Sequence, residues 1–245
     1  MRRVSALVVI VVAVAVGGPS AGPDLVEPSA LRPAAAAARL EALRGPAKVE
    51  ALVEAVVEQQ RALRSLRAEF TQTTASELLL DPVESAGSFR FLAPDRVRWD
   101  YREPDRMIVV FADDTVTTYH PDEKRAERIR IAAAHRRFVQ ALAGTQPLDD
   151  LSSQFSITLS DPGPTGPYRL LLTPTHRALK RKLETVRLEV DRQLLLPVAV
   201  EYRSATGDST RYEFRQLELN PELEASGFVL VLGDGVAVQE IDASG

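Results

Sequence analysis

The residues with the strongest claim to chemistry are three histidines, His120, His135 and His176, and two pairs of adjacent acids, Asp113-Asp114 and Asp149-Asp150. A helical metal pair needs two histidines at i and i+4, and none of these has such a partner. Scattered histidines of this kind read as surface residues. Paired carboxylates can perform general acid/base work on a glycoside, but only where a cleft raises the pKa of one of them. Asp113-Asp114 lies between two apolar runs, as a hairpin turn does, and Asp149-Asp150 follows Pro147 like a helix start. The basic run His176 to Lys182 (HRALKRK) reads as a solvated loop or edge segment, with an anionic partner as the alternative. There is no Gly-x-Ser-x-Gly elbow, phosphate-cradling loop or dinucleotide fingerprint. Cysteine is absent, which excludes disulfides, thiol nucleophiles, thiolate metal sites and a lipid-modified N-terminal cysteine. The expectation is a protein that is no enzyme and carries no cofactor or metal.

The elements around these residues are more informative. In Arg96-Val97-Arg98-Trp99-Asp100-Tyr101-Arg102 every second side chain is large and apolar, and those between are charged. A strand turns successive side chains to opposite faces, so Val97, Trp99 and Tyr101 share one face and the charges the other. Phe89 and Phe91 share a face in the preceding run, and Pro94-Asp95 makes the turn. Under the same alternation Phe70, Phe111, Val186, Leu188, Tyr212 and Phe214 join one apolar face. Periodicity leaves two readings open: a packed core under a helix, or a cavity for an apolar ligand.

Strands are expected at Arg67 to Thr74, Glu77 to Leu80, Ser85 to Leu92, Arg96 to Glu103, Met107 to Ala112 and Thr115 to Tyr119, in an antiparallel meander. Ala132 to Gly144 reads as a helix with the stripe Phe138, Val139 and Leu142, and Pro147 begins a second helical turn. Further strands carry Tyr168, Leu170 and Leu172, then Val186 to Val190, then Val198 to Tyr202. In Ser209 to Leu219 the apolar phase switches, which predicts a bulge near Arg215-Gln216. A last strand is expected from Gly227 to Leu232. Before them a helix starts at Pro46, with Val49, Leu52, Val53, Val56, Val57 and Leu63 on its apolar face. Many strands with no crossover helices exclude a parallel α/β sheet. The fold class is mainly β with helices: a large antiparallel sheet, strongly curved or nearly closed, with helices packed on it.

The chain opens with Arg2-Arg3, an apolar run from Val4 to Val16 and small residues to Ala21, the three parts of a secretory signal. That run is short of the roughly 20 residues that span a bilayer. The expected organisation is a signal peptide at 1–21, an Ala/Pro-rich linker at 22–45 (with room for a short helix) and one domain at 46–245. The formal net charge of −4 becomes two units more negative once Arg2 and Arg3 leave. Such acidity argues against nucleic acid and against a polybasic grip on membranes.

Taken in order, Ala68-Glu69-Phe70-Thr71-Gln72, Gly87-Ser88-Phe89-Arg90-Phe91, Pro94, Arg98-Trp99-Asp100-Tyr101, Pro104, Asp113-Asp114 and Tyr119-His120-Pro121 resemble the periplasmic outer-membrane lipoprotein carrier family, LolA. The resemblance continues through Leu172-Thr173-Pro174, Val186 to Asp191, Gly207-Asp208 and Phe228 to Val236. It implies an unclosed antiparallel β-barrel lidded by helices around a hydrophobic cavity that shields lipoprotein acyl chains. It further implies a periplasmic monomer that takes cargo from an inner-membrane transporter to an outer-membrane receptor. By position Phe89, Phe91, Trp99 and Tyr101 line the wall, and Phe138 and Leu142 belong to the lid. The family commonly has an arginine before the proline that is Pro94 here, thought to bond the lid. This chain has Ala93, whose side chain cannot hydrogen-bond, so lid closure must use another group or be weaker. Two other readings stand beside the carrier: a lipid- or lipoprotein-sensing regulatory module on the same fold, and a hydrolase of an envelope lipid or glycan, against which the missing nucleophile motifs count.

Overall fold

The computed structural model describes residues 33–76, 79–130 and 154–242. Two helices precede the sheet: α1, Pro33–Ala42, and α2, Gly45–Ala62. The alanines of α1 favour a helix, and its Leu40 is sealed in the core, so ordered structure reaches into the Ala/Pro-rich segment. Gly45 takes a positive φ of 60° between the helices, and Pro46 opens α2 where its missing N–H costs nothing. Leu52, Val56 and Val57 of α2 are buried as expected, and so are Lys48, Gln59 and Gln60.

The strands are β1 Ser65–Ala75, β2 Val83–Leu92, β3 Arg96–Glu103, β4 Met107–Ala112, β5 Thr115–His120 and β6 Arg125–Arg130. They continue with β7 Phe155–Ser160, β8 Tyr168–Pro174, β9 Leu183–Val190, β10 Pro197–Ser204, β11 Ser209–Leu219 and β12 Ala237–Asp242. All belong to one twelve-stranded sheet in the order β12-β6-β5-β4-β3-β2-β1-β11-β10-β9-β8-β7. Every pairing is antiparallel except β12 on β6. Among the described residues β12 and β7 are not paired with each other, so the curved sheet is unclosed. The chain thus closes β1 onto β11 by a long return and leaves two edges, and Leu40, Leu52 and Val56 of the helices share one core with the apolar face of the sheet.

Two local features follow directly from side-chain chemistry. Asp113 and Asp114 join β4 to β5 with φ of 50° and 59°, a two-residue turn with both residues left-handed, which aspartate tolerates. In β11 the register on β1 moves from Arg67↔Glu218 to Glu69↔Arg215, and Gln216 has φ 53°: the bulge lies where the apolar phase switches. It brings Leu217 and Leu219 back against the core.

The structure departs from expectation at several strands. Of the strand expected at Glu77 to Leu80, the first two residues lie outside the described residues, and Leu79 and Leu80 are exposed outside any strand, the Leu79 N–H donating to the Ser76 carbonyl in a turn. In place of a strand at Gly227 to Leu232 there is a 3₁₀ turn, Ala225–Phe228, that buries only Phe228 and leaves Val229 and Val231 exposed. The terminal strand is β12 instead. β6 and β7 were not anticipated: β6 buries Ala126 and Glu127 side by side, which erases alternation, whereas Phe155, Ile157 and Leu159 of β7 do alternate. The expected helix at 132–144 and the turn at Pro147 lie outside the described residues.

Candidate functional site

The apolar residues that alternation singles out are brought together. Phe89 pairs with Trp99, Phe91 with Val97, and Val97 in turn with Phe111. Phe70 pairs with Phe214 across β1 and β11. Phe70, Phe89, Phe91, Val97, Trp99, Tyr101, Phe111, Val186, Tyr212 and Phe214 are all buried, and Leu188 is partly buried against them. Trp99 is the hub: its ring centroid lies 4.6 Å from Phe70, 4.7 Å from Phe89, 5.2 Å from Tyr212 and 5.7 Å from Phe214. The Phe70 contact is edge-on, the arrangement that aromatic quadrupoles favour. Phe138 and Leu142 lie outside the described residues.

Gly87 makes this cluster possible. A Cβ there would stand 2.1 Å from the Asp100 carbonyl oxygen and 2.8 Å from the Phe70 ring. Glycine alone lets that ring lie against the β2 backbone.

Polar groups enter the apolar face at one end. Tyr101 donates its hydroxyl to Gln72 Oε1 at 2.7 Å, and Gln72 Nε2 donates to Thr74 Oγ1 at 3.0 Å. Burial pushes the Tyr101 hydroxyl up to about 12 against a smaller lowering effect of Tyr212. Burial, with the neighbouring Tyr101, also raises Tyr212. These hydroxyls are neutral donors and acceptors at any physiological pH, not acids or bases.

The charges between the apolar residues are paired on the outer face. Arg98 grips Asp100 with Nε at 3.0 Å and Nη2 at 2.8 Å, and Arg90 donates to the same carboxylate at 2.6 Å. Burial alone would raise the Asp100 pKa, but the two guanidiniums hold it below the usual carboxylate range. Arg98 Nη1 also donates to the Gly227 carbonyl at 3.0 Å, tying the 3₁₀ turn to β3.

A groove of about 1040 Å³ lies between α2 and the edge strand β7. Its apolar wall is Val49, Val53, Phe155, Ile157 and Leu159. Phe155 belongs to the main core, and Val53, Ile157 and Leu159 pack against it, so the groove's apolar wall is part of the same packed core as the aromatic cluster. None of the aromatic residues of that cluster lines the groove itself. Of this wall, the sequence reading anticipated Val49 and Val53 as the face of a helix and missed the three β7 residues, whose period-two spacing was the available signal.

An ion cluster fixes the helices beside the groove. Lys48 of α2 donates to Asp161 Oδ2 at 2.6 Å, and Arg192, in the β9–β10 turn, donates to Asp161 Oδ1. Arg192 also donates to Glu41 of α1 at 2.7 Å and lies 4.0 Å over the ring of Tyr168, which itself donates to Glu41 at 2.9 Å. Burial favours a protonated Asp161, but hydrogen bonds from Lys48, the Gly163 N–H and Arg192 outweigh it and hold the pKa at about 2. The Tyr168 hydroxyl is raised to about 12, by burial and then by Glu41.

Neither His120 nor His176 joins this site; His176 precedes a single helical turn, Arg177–Lys180, that buries Leu179, and His135 lies outside the described residues. Among the described residues no cluster of three His, Asp or Glu side chains is arranged to hold a metal ion. The arrangement can bind; among the described residues it brings no nucleophile beside a base.

Comparison with known proteins agrees with this geometry. The family model described as "Outer membrane lipoprotein carrier protein LolA" matches residues 61–231. The outer-membrane lipoprotein carrier protein of Alkalilimnicola ehrlichii is 29% identical over 176 residues, covering 72% of this chain and 78% of its own. That of Bordetella avium is 26% identical over 207 residues, covering 80% and 93%. Among solved structures, an uncharacterised conserved protein from Thermus thermophilus superposes with a TM-score of 0.51 at 10% identity, covering 79% of this chain and 99% of that one. MucB superposes with a TM-score of 0.50 at 16% identity, covering 80% of this chain and 66% of its own. These structural likenesses concern the fold. Because the family match spans well over half the sequence, the chain belongs to the LolA family of outer-membrane lipoprotein carrier proteins, which bind and do not catalyse.

Proposed function

We propose that this protein shields the acyl chains of lipoproteins in the apolar interior between α2 and the sheet and carries them through the periplasm. The observation that supports this is the solvent-open groove between α2 and β7, whose apolar wall packs in the same core as the aromatic face. A groove of about 1040 Å³ is at the upper end of the ordinary range for small-molecule sites. Each methylene moved out of water contributes about 0.8 kcal/mol, so ten supply about 8 kcal/mol, the scale of a micromolar complex before ordering costs. No chemical step is needed. Phe70, Phe89, Phe91, Val97, Trp99, Tyr101, Phe111, Val186, Leu188, Tyr212 and Phe214 form the wall in this reading. Export on a leader at residues 1–21, receipt from an inner-membrane transporter and delivery to an outer-membrane receptor belong to the same proposal.

The test uses the only tryptophan. A diacylated peptide should produce a saturable change in Trp99 emission, and the unacylated peptide none. Asp113→Asn, in the β4–β5 turn, should leave the response intact. Trp99 is only 6% exposed, so shielding alone does not discriminate; indifference to every acylated ligand in a folded protein makes the face a packed core and sinks the proposal.

A further inference from the structure

Gln60 lies on the stripe of α2 that begins with Leu52 and Val56, at successive four-residue steps. Leu52 and Val56 are 0% exposed and Gln60 is 1% exposed. Its amide oxygen Oε1 is buried with no hydrogen-bond partner, the one such side-chain atom among the described residues. A buried acceptor that has surrendered its water and gained no donor is unfavourable, whereas an apolar side chain of similar size would incur no such cost there. The position is also close to the C-terminal end of the helix. Gln60 is followed by exposed Arg61 and Ala62, and in the other direction Val53 of the groove wall is about 10 Å away at 1.5 Å per residue.

An acyl chain brings no donor of its own; the group that joins it to the rest of the ligand decides whether one is present. A secondary amide carries an N–H, and an ester does not. We infer that Gln60 Oε1 accepts a hydrogen bond from the amide N–H of an N-acylated peptide terminus, with the acyl chain running along Val56 and Leu52 toward the groove and the peptide leaving past Arg61. This rests on the acyl-carrier reading and deepens it: the site prefers amide-linked to ester-linked chains.

The exported protein is titrated, with Trp99 emission as the signal, against an N-palmitoyl peptide and its depsi analogue, in which an ester oxygen replaces the N–H. The wild type should bind the amide about tenfold more tightly, equivalent to about 1.4 kcal/mol. Gln60→Leu should bind both ligands alike, at the affinity of the ester; Gln60→Met makes the same comparison if the leucine variant does not fold. Equal binding of amide and ester by the wild type, or a preference that survives in the variants, overturns the inference and leaves the carrier reading standing. No saturable response to either peptide overturns the carrier reading, and the inference with it.

Discussion

Lys48 and Asp161, 113 positions apart in sequence, meet at 2.6 Å with the lysine side chain only 5% exposed. The pair ties α2 to the end of the edge strand β7, on the rim of the groove. Arg192 shares the carboxylate and reaches on to Glu41 of α1, so one acid links both helices to the sheet. Among the described residues, these contacts tie the helices to the sheet edge.

The tie should be pH-dependent in a defined direction. The Asp161 pKa falls from an ordinary 3.8 to about 2 on folding. A depressed carboxylate contributes its full stability above its unfolded pKa and loses it as pH falls through the folded value. Lys48→Met should therefore cost about 1.5–3 kcal/mol at pH 7, the scale of a hydrogen bond to a charged group. The difference from wild type should shrink between pH 4 and pH 2. Urea denaturation across that range measures both; a deficit that stays constant to pH 2 would show that the lysine acts through packing alone.

Gly87→Ala tests the aromatic cluster. The added methyl group meets the Asp100 carbonyl and the Phe70 ring well inside contact distance, so β2 and β3 must separate or the ring must turn. Overpacking of this kind costs about 1–3 kcal/mol. Chemical denaturation should show that loss, together with a shift in Trp99 emission as Phe70 moves. A change below about 0.5 kcal/mol with unchanged emission would mean that the strands accommodate the methyl freely.

The legible parts of this fold are those where one face is greasy and the other charged. β3 and β4 match their expected limits because Val97, Trp99 and Tyr101 alternate with paired charges, and because Asp113-Asp114 punctuates the chain. The bulge at Gln216 was legible from the same alternation, as a change of phase. What failed was the use of apolar composition without alternation. Val229 to Leu232 has the composition of a strand but no strand partner among the described residues, and the preceding Gly227 sits in a turn, its carbonyl accepting from Arg98. The candidate site was half legible: the buried aromatic residues were read one strand at a time, but the groove depends on β7 meeting α2, a long-range juxtaposition. Lys48, Asp161 and Arg192 are charges of an ordinary kind in sequence, and only tertiary structure makes them a cluster.

Export predicts a defined mature terminus. With Arg2-Arg3, a short apolar run and Ala21 before the cut, intact mass of the exported protein should correspond to a start near Gly22. A membrane-bound product that retains Met1 to Val16 would replace the leader with an anchor.

Charging the groove tests whether ligand reaches it. Ile157 is partly buried in the wall at β7, away from the Trp99 hub and on an edge strand whose outer side has no strand partner among the described residues. Ile157→Lys should weaken binding of the diacylated peptide more than tenfold, because lost contact with two methylenes, at about 0.8 kcal/mol each, already exceeds 1.4 kcal/mol. The fold should survive, since a lysine can bury its stem and raise its ammonium to the groove mouth. Val231→Lys, at a site already 90% exposed, supplies the matched control for added charge. Both variants are titrated by Trp99 emission after their melting temperatures are compared with wild type. If Ile157→Lys binds as tightly as Val231→Lys, the acyl chains stop short of β7, and the ligand is held by the aromatic face alone.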